Sequence, residues 1–173
     1  MSSIQHLCML TRYTAWANAL LYESLAGESD AALSLDRRGR PGGVLGTLGH
    51  IYVISMIWKA HLTGQEHGFT TRRLASPMPL SELQRRQLEV DRWYVDFAEA
   101  QTTASLAKEI SFTFVGGGAG VMRVDDMLLH VVNHSTYHRG YVADMLYDSG
   151  SAPPTMDLPV YIRVVRAQGS APA

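Results

Sequence analysis

His130-Val-Val-Asn133-His134-Ser-Thr-Tyr137-His138-Arg139-Gly140 is the segment on which the reading of this chain turns. It lies inside a run from Asp125 to Ser149 with the three-and-four spacing of a helix, followed by Gly150 and by Pro153-Pro154, which stop it. Met127, Val131, Val142 and Met145 mark an apolar stripe, and helical spacing places His134 and His138 on that stripe, pointing into a core. Side chains four apart sit one above the other, with Cβ atoms roughly 5–6 Å apart. Two imidazoles so placed can share one metal ion, which occupies the acceptor nitrogens that would otherwise be costly to bury.

His130 extends the row, but positions 130 and 138 are about 12 Å apart along the axis, too far for all three to meet one ion. The usable pair is therefore 130/134 or 134/138, and periodicity favours the second. The residues between His134 and His138 are Ser135, Thr136 and Tyr137, so the Glu that marks a zinc protease is missing. A third ligand has to come from another helix. His50 stands in the uncharged run Leu45 to Trp58, either as that ligand or as a histidine hydrogen-bonded within the core. His61 and His67 fall near a helix end and in a loop and are expected to be solvated.

Outward from this segment the punctuation is simple. Residues 3 to 26 form a helix ended by Gly27, and residues 44 to 63 a second one stopped by Gly64. Ser81 to about Thr103 form a third, with Ser81 as the expected cap. Residues 109 to 115 alternate, with Ile110, Phe112 and Phe114 on one face. Gly116-Gly117-Gly118-Ala119-Gly120 then turns the chain, and Val121 to Val124 return, which predicts a β-hairpin. Asp125 or Asp126 is the expected cap of the last long helix. The tail from Thr155 is expected to pack back on the bundle, and Gly169 to Ala173 to fray. The prediction is an all-α fold: a four-helix bundle with crossover connections and a small hairpin before the last helix, one domain over residues 1–168.

The bulk properties exclude other classes. A chain of 173 residues that is 46% hydrophobic and 18% charged can bury one sizeable core. A net charge of −1, with its arginines scattered, argues against a nucleic-acid partner. No apolar run is long enough to cross a bilayer. The single Cys8 allows no internal disulfide, and the N-terminus lacks a basic-then-apolar leader, so the cytoplasm is the expected location.

At these residues the chain resembles the DinB/YfiT-like family. His130-Val-Val-Asn-His-Ser-Thr-Tyr-His-Arg-Gly is similar to the family's NHxxxHRG segment on the fourth helix. Tyr13-Thr-Ala-Trp16-Ala-Asn18, Leu48-Gly-His50-Ile and Pro153-Pro154 with Asp157, Leu158 and Tyr161 resemble its first helix, its first metal histidine and its closing tail. The resemblance covers nearly the whole chain. It implies a four-helix bundle, a homodimer, and one divalent metal ion (zinc, nickel or iron) held by His50, His134 and His138. Where many relatives carry Gln after Arg-Gly, this chain has Tyr141, a change next to the site. Characterised branches of the family are thiol S-transferases using low-molecular-weight thiols, which implies a thiol cosubstrate and a small-molecule substrate.

Three neutral imidazoles leave such an ion its full charge and open positions, as in catalytic sites. Thiol-dependent transfer, metal-dependent hydrolysis and a non-catalytic metal-binding bundle are the three readings. No general base is assigned: Tyr137, Tyr141 and Asp144 share the helix without a known direction. Asn133 and Arg139 flank the ligands and either orient them or bridge to another helix or subunit. Trp16 and Trp58 either line a pocket or belong to the core.

Overall fold

The computed structural model describes residues 3–169. Four long helices, α1 (Ser3–Ser24), α3 (Gly43–Thr63), α4 (Leu80–Glu99) and α6 (Val124–Asp148), form the bundle. Two one-turn helices, α2 (Asp30–Leu33) and α5 (Thr103–Leu106), lie in its connections. A hairpin of β1 (Glu109–Thr113) and β2 (Ala119–Arg123) precedes α6, and α7 (Leu158–Gly169) closes the chain. The expected frayed tail lies, from residue 170 on, outside the described residues.

Around the bundle α1 and α3 each pack chiefly against α4 and α6. The connections α1–α3 and α4–α6 therefore cross the bundle, and α3–α4 joins neighbours. The helices reach these positions through their patterning. α1 buries Leu7, Thr11, Thr14, Asn18, Leu21 and Tyr22, and α4 buries Leu83, Gln87, Val90, Asp91, Tyr94 and Ala98, each at three-and-four spacing. α3 is buried on nearly every side, from Val44 through Leu62, as a central helix must be.

Helix ends differ from the sequence expectation in instructive ways. α3 ends as predicted: Gly64 adopts φ +66°, and the Gln65 and Gly64 amides donate to the carbonyls of Ala60 and His61. At its start, Gly43 has φ +55°, and a Cβ there would collide with the Leu35 carbonyl. α4 begins at Leu80 without a cap from Ser81; the Leu80 amide donates instead to Asp30 Oδ1 of α2, at 3.0 Å. It also ends earlier than expected, at Glu99, because Thr102 and Ser105 form a reciprocal capping box that starts α5. Neither Asp125 nor Asp126 is the N-cap of α6, which is Arg123. Asp125 instead pairs with Arg123 and accepts the Asp126 amide, and both carboxylates lie at the positive end of the helix.

The hairpin is antiparallel, with Ile110 opposite Met122 and Phe112 opposite Gly120. Gly120 is required there because the Phe112 ring lies over it: a Cβ would come within 2.5 Å of that ring. Phe112 is turned inward onto Trp58 and His61, with ring centroids 5.0 and 5.1 Å away, while Phe114 stays exposed. The tail packs back, as a helix: Tyr161 of α7 meets Tyr13 and Trp16 of α1, and the Tyr13 hydroxyl donates to the Met156 carbonyl at 2.8 Å. Among the described residues no helix is long and apolar enough to cross a membrane.

Candidate metal centre

α3 and α6 pack side by side and bring together His50, His134 and His138. Ligand nitrogens of the three lie within 4.8 Å of one another. The Nε2 atoms of His50 and His134 are 3.1 Å apart. Two nitrogens on a tetrahedral ion at about 2.0–2.1 Å stand about 3.3 Å from each other, so this spacing fits one ion between them. The ring centroids of His138 are 4.5 Å from His50 and 4.3 Å from His134. His130 is not in the cluster; its ring packs on Trp58 at 4.7 Å.

The stripe expectation for α6 needs correction. Between Val132 and Val142 the buried positions are Ser135 and Arg139, not His134 and His138. The two histidines stand at the edge of the stripe, half-buried, facing α3 and a cavity. One residue of rotation therefore separates the helix's packing face from its chemical face.

The loop before α4 orients His50. Its Nδ1 donates to the Arg72 carbonyl at 2.7 Å, which leaves the Nε2 lone pair directed at the cluster. Among the described residues no backbone carbonyl plays this part for the rings of His134 or His138. Burial holds all three imidazoles neutral. His134 is pushed down to about 3 by burial and by the neighbouring His138, His50 and His130. His138 is pushed down to about 4 by burial, His50 and Arg40. His50 is lowered by burial, against which its bond to the Arg72 carbonyl acts. Neutral imidazoles are the form that binds a metal.

These shifts set a pH dependence for the metal-free chain. Unfolded histidine titrates near 6.5, well above the folded values of His134 and His138. Below that pH the unfolded chain takes up protons that the folded one refuses, so stability falls as pH drops from about 6.5 toward 4. Urea midpoints of chelated protein between pH 8 and 4 should show this decline, and His134→Ala should flatten it. An equally steep decline in the variant would assign the effect to other groups.

The cluster opens on a cavity of about 520 Å³. Its walls are Ile54, Ile57 and Trp58 of α3, Phe112, Phe114 and Val115 of the hairpin, and His61, His130 and Tyr137, with Arg72 at the edge it shares with a second cavity. Trp58 is thus a wall residue, while Trp16 stacks with Tyr13 and Tyr161. His61, expected to be solvated, faces this cavity. On its other side the cluster borders a second cavity of about 280 Å³, where Arg40, Arg72, Arg73 and Tyr141 join His50 and His138.

Behind the ligands lies a buried polar chain. Arg139 is 2% exposed. Its guanidinium donates to Asn18 Oδ1 of α1 at 3.0 Å and to the Thr136 hydroxyl at 2.9 Å. Asn18 donates to Asp91 Oδ2, and Gln87 to Asp91 Oδ1, each at 2.8 Å. Burial raises the Asp91 carboxyl to about 6, against the pull of Asn18, Gln87 and Arg139. Arg139 therefore bridges helices, and Asn133 is exposed at the surface. Asp144 pairs with Arg38 on the surface, at 3.0 Å, and is not part of the cluster.

The sequence profile of the DinB family matches residues 1–169. Protein DinB of Bacillus subtilis (strain 168) is 23% identical over 170 residues, spanning 92% of this chain and 95% of that protein. The crystal structure of a DinB-like protein from Bacillus cereus ATCC 10987 superposes with a TM-score of 0.61 at 20% identity, over 83% of this chain and 91% of that one. Sequence profile and bundle architecture agree along almost the entire chain, which belongs to the DinB family.

Proposed function

We propose that this protein is a divalent-metal-dependent enzyme in which His50, His134 and His138 hold one ion, and that it transfers a low-molecular-weight thiol onto a small apolar electrophile. The observation that carries the reading is the three-imidazole cluster with its nitrogens at ion-sharing distance, opening on a cavity large enough for a small organic molecule. A structural site closes its coordination sphere with a fourth protein ligand; among the described residues the cluster holds three. When bound, a divalent ion on neutral ligands supplies the Lewis acidity that acidifies a coordinated thiol or water.

The chain's own residues do the rest. The Arg72 carbonyl fixes the His50 tautomer. Ile54, Ile57, Trp58, Phe112 and Val115 exclude water from one side and offer an apolar surface to the electrophile. That surface favours transfer to an apolar substrate over hydrolysis of a polar one.

Elemental analysis of tag-free protein tests the first half: about one divalent ion per chain is expected. Assays of the loaded protein with small thiols and a chromogenic aromatic electrophile, beside ester and amide hydrolysis, test the second half. Turnover that requires both thiol and metal supports the transferase reading. Thiol-independent hydrolysis would replace it, and a chain that takes up no zinc, nickel, iron or manganese would end the metalloenzyme reading.

A further inference from the structure

The second cavity has a different chemistry from the first. Three arginines, Arg40, Arg72 and Arg73, line it, and no acidic residue does. Among the described residues none of the three has a carboxylate within ion-pair distance, whereas the nearby Arg37 and Arg38 pair with Asp148 and Asp144. Among the described residues the three guanidinium groups make a single hydrogen bond, a long one from Arg73 to the Pro41 carbonyl at 3.5 Å.

Arg40 is the best held. Its guanidinium carbon stands 3.2 Å from the centroid of the Tyr141 ring. The Tyr141 ring packs in turn on that of Tyr137 one turn earlier, with centroids 4.5 Å apart. The Arg40 Nε is buried and has no hydrogen-bond partner. A guanidinium fixed by stacking, with a buried donor unspent, is preorganised for an oxyanion. The residue that makes the platform is Tyr141, three positions past His138 on α6.

We propose that the Arg40–Arg72–Arg73 pocket receives the oxyanion, a carboxylate or a phosphate group, of a small-molecule substrate or cosubstrate whose other end reaches the histidine cluster. His50 and His138 border both cavities, so a molecule seated on the arginines extends toward the ligand nitrogens, and the apolar cavity beyond them takes the second reactant. The anion pocket stands on the arginines alone; the reactive end rests on the metal reading given above.

The test is a titration of the full chain with succinate and, separately, inorganic phosphate at constant ionic strength. Metal-stripped and zinc-loaded protein are compared, following the arginine Nε–H resonances by NMR. At least one probe should bind the metal-stripped chain, shift the Arg40 Nε–H resonance, and lose affinity about tenfold in Arg40→Gln, the loss expected for one charge-assisted bond. The double variant Arg72→Gln/Arg73→Gln should weaken binding independently and guards against a misfolded Arg40→Gln. Tighter succinate binding assigns a carboxylic acid, and tighter phosphate binding a phosphate ester. Absence of binding by either probe overturns the proposal. So does binding that appears only with zinc and is unchanged in the arginine variants, which would place the anion on the metal. A chain that takes no metal yet binds a probe through Arg40 would sustain the pocket while ending the metal reading.

Discussion

His134→Ala should lose its metal, falling from about one ion per chain to near none, and any metal-dependent turnover with it. His134 is the most deeply set of the three candidate ligands and its Nε2 stands 3.1 Å from that of His50. His130 offers no replacement, because its ring is committed to Trp58. The variant also separates metal binding from folding. A ligand present at a thousand times its dissociation constant stabilises the native state by about 4 kcal/mol. Chelation should therefore lower the melting temperature of the parent chain and leave His134→Ala unmoved. Without metal, the variant should be no less stable than the parent at pH 5, since it lacks one imidazole that folding keeps unprotonated. Elemental analysis and calorimetric melts with and without chelator decide the matter. A variant that keeps its ion would remove His134 from the ligand set.

The second large effect lies one residue past a ligand and concerns stability. Arg139→Ala is expected to destabilise the chain by about 3–5 kcal/mol, the range for removing one partner of a buried charge network. The substitution leaves Asn18 Oδ1 without its donor and the wholly buried Asp91 without a compensating cation. For a chain of this length that amounts to a drop in melting temperature of about 10 °C. The pH dependence identifies the cause. Asp91 already titrates near 6 in the folded state, above its unfolded value, so its protonation favours folding as pH falls through that region. Losing Arg139 raises it further, and the deficit of the variant should shrink between pH 7.5 and 5. Arg139→Met combined with Asp91→Asn should recover most of the loss. If Arg139→Ala melts with the parent at every pH, the network is not a stabilising unit.

Much of this was legible in the chain, for reasons that also mark where legibility stops. The four long helices and the hairpin follow from spacing and punctuation, because Gly64, Gly150 and the run Gly116–Gly118 act locally. That two histidines of α6 could share an ion was readable because a helix places residues four apart together whatever surrounds it, but this served 130/134 as well as 134/138; periodicity leaned to the second pair and the family resemblance chose it. Which face they occupy was not: apolar residues bracket them on both sides, and the buried seam runs through Ser135 and Arg139, neither of which looks like a core residue. The direction of His50 was hidden for the opposite reason, since α3 is apolar nearly all round and presents no face to choose. The features supplied by distant chain escaped altogether. The Asp30 cap of α4, the Arg72 carbonyl on His50 and the Arg40–Tyr141 stack join residues 50, 22 and 101 positions apart, and no local pattern announces them.

The candidate ligand nitrogens all come from two bundle helices, while the lining of the two cavities is shared: α3 and α6 supply Ile54, Ile57, Trp58 and Tyr141, and connectors supply Arg40 before α3, Arg72 and Arg73 before α4, and Phe112 and Val115 in and after β1. On the proposed function, the groups that hold the ion and the connector part of the cavity lining therefore lie in separately replaceable parts of the chain. Connectors tolerate substitution and changes of length far better than packed helices do. On the proposed function, a change of guest is open to the connector part of the lining while the histidine cluster and the bundle core stay as they are. On such a scaffold, divergence among relatives would be read first in the connectors, and the histidines would say little about what each one binds.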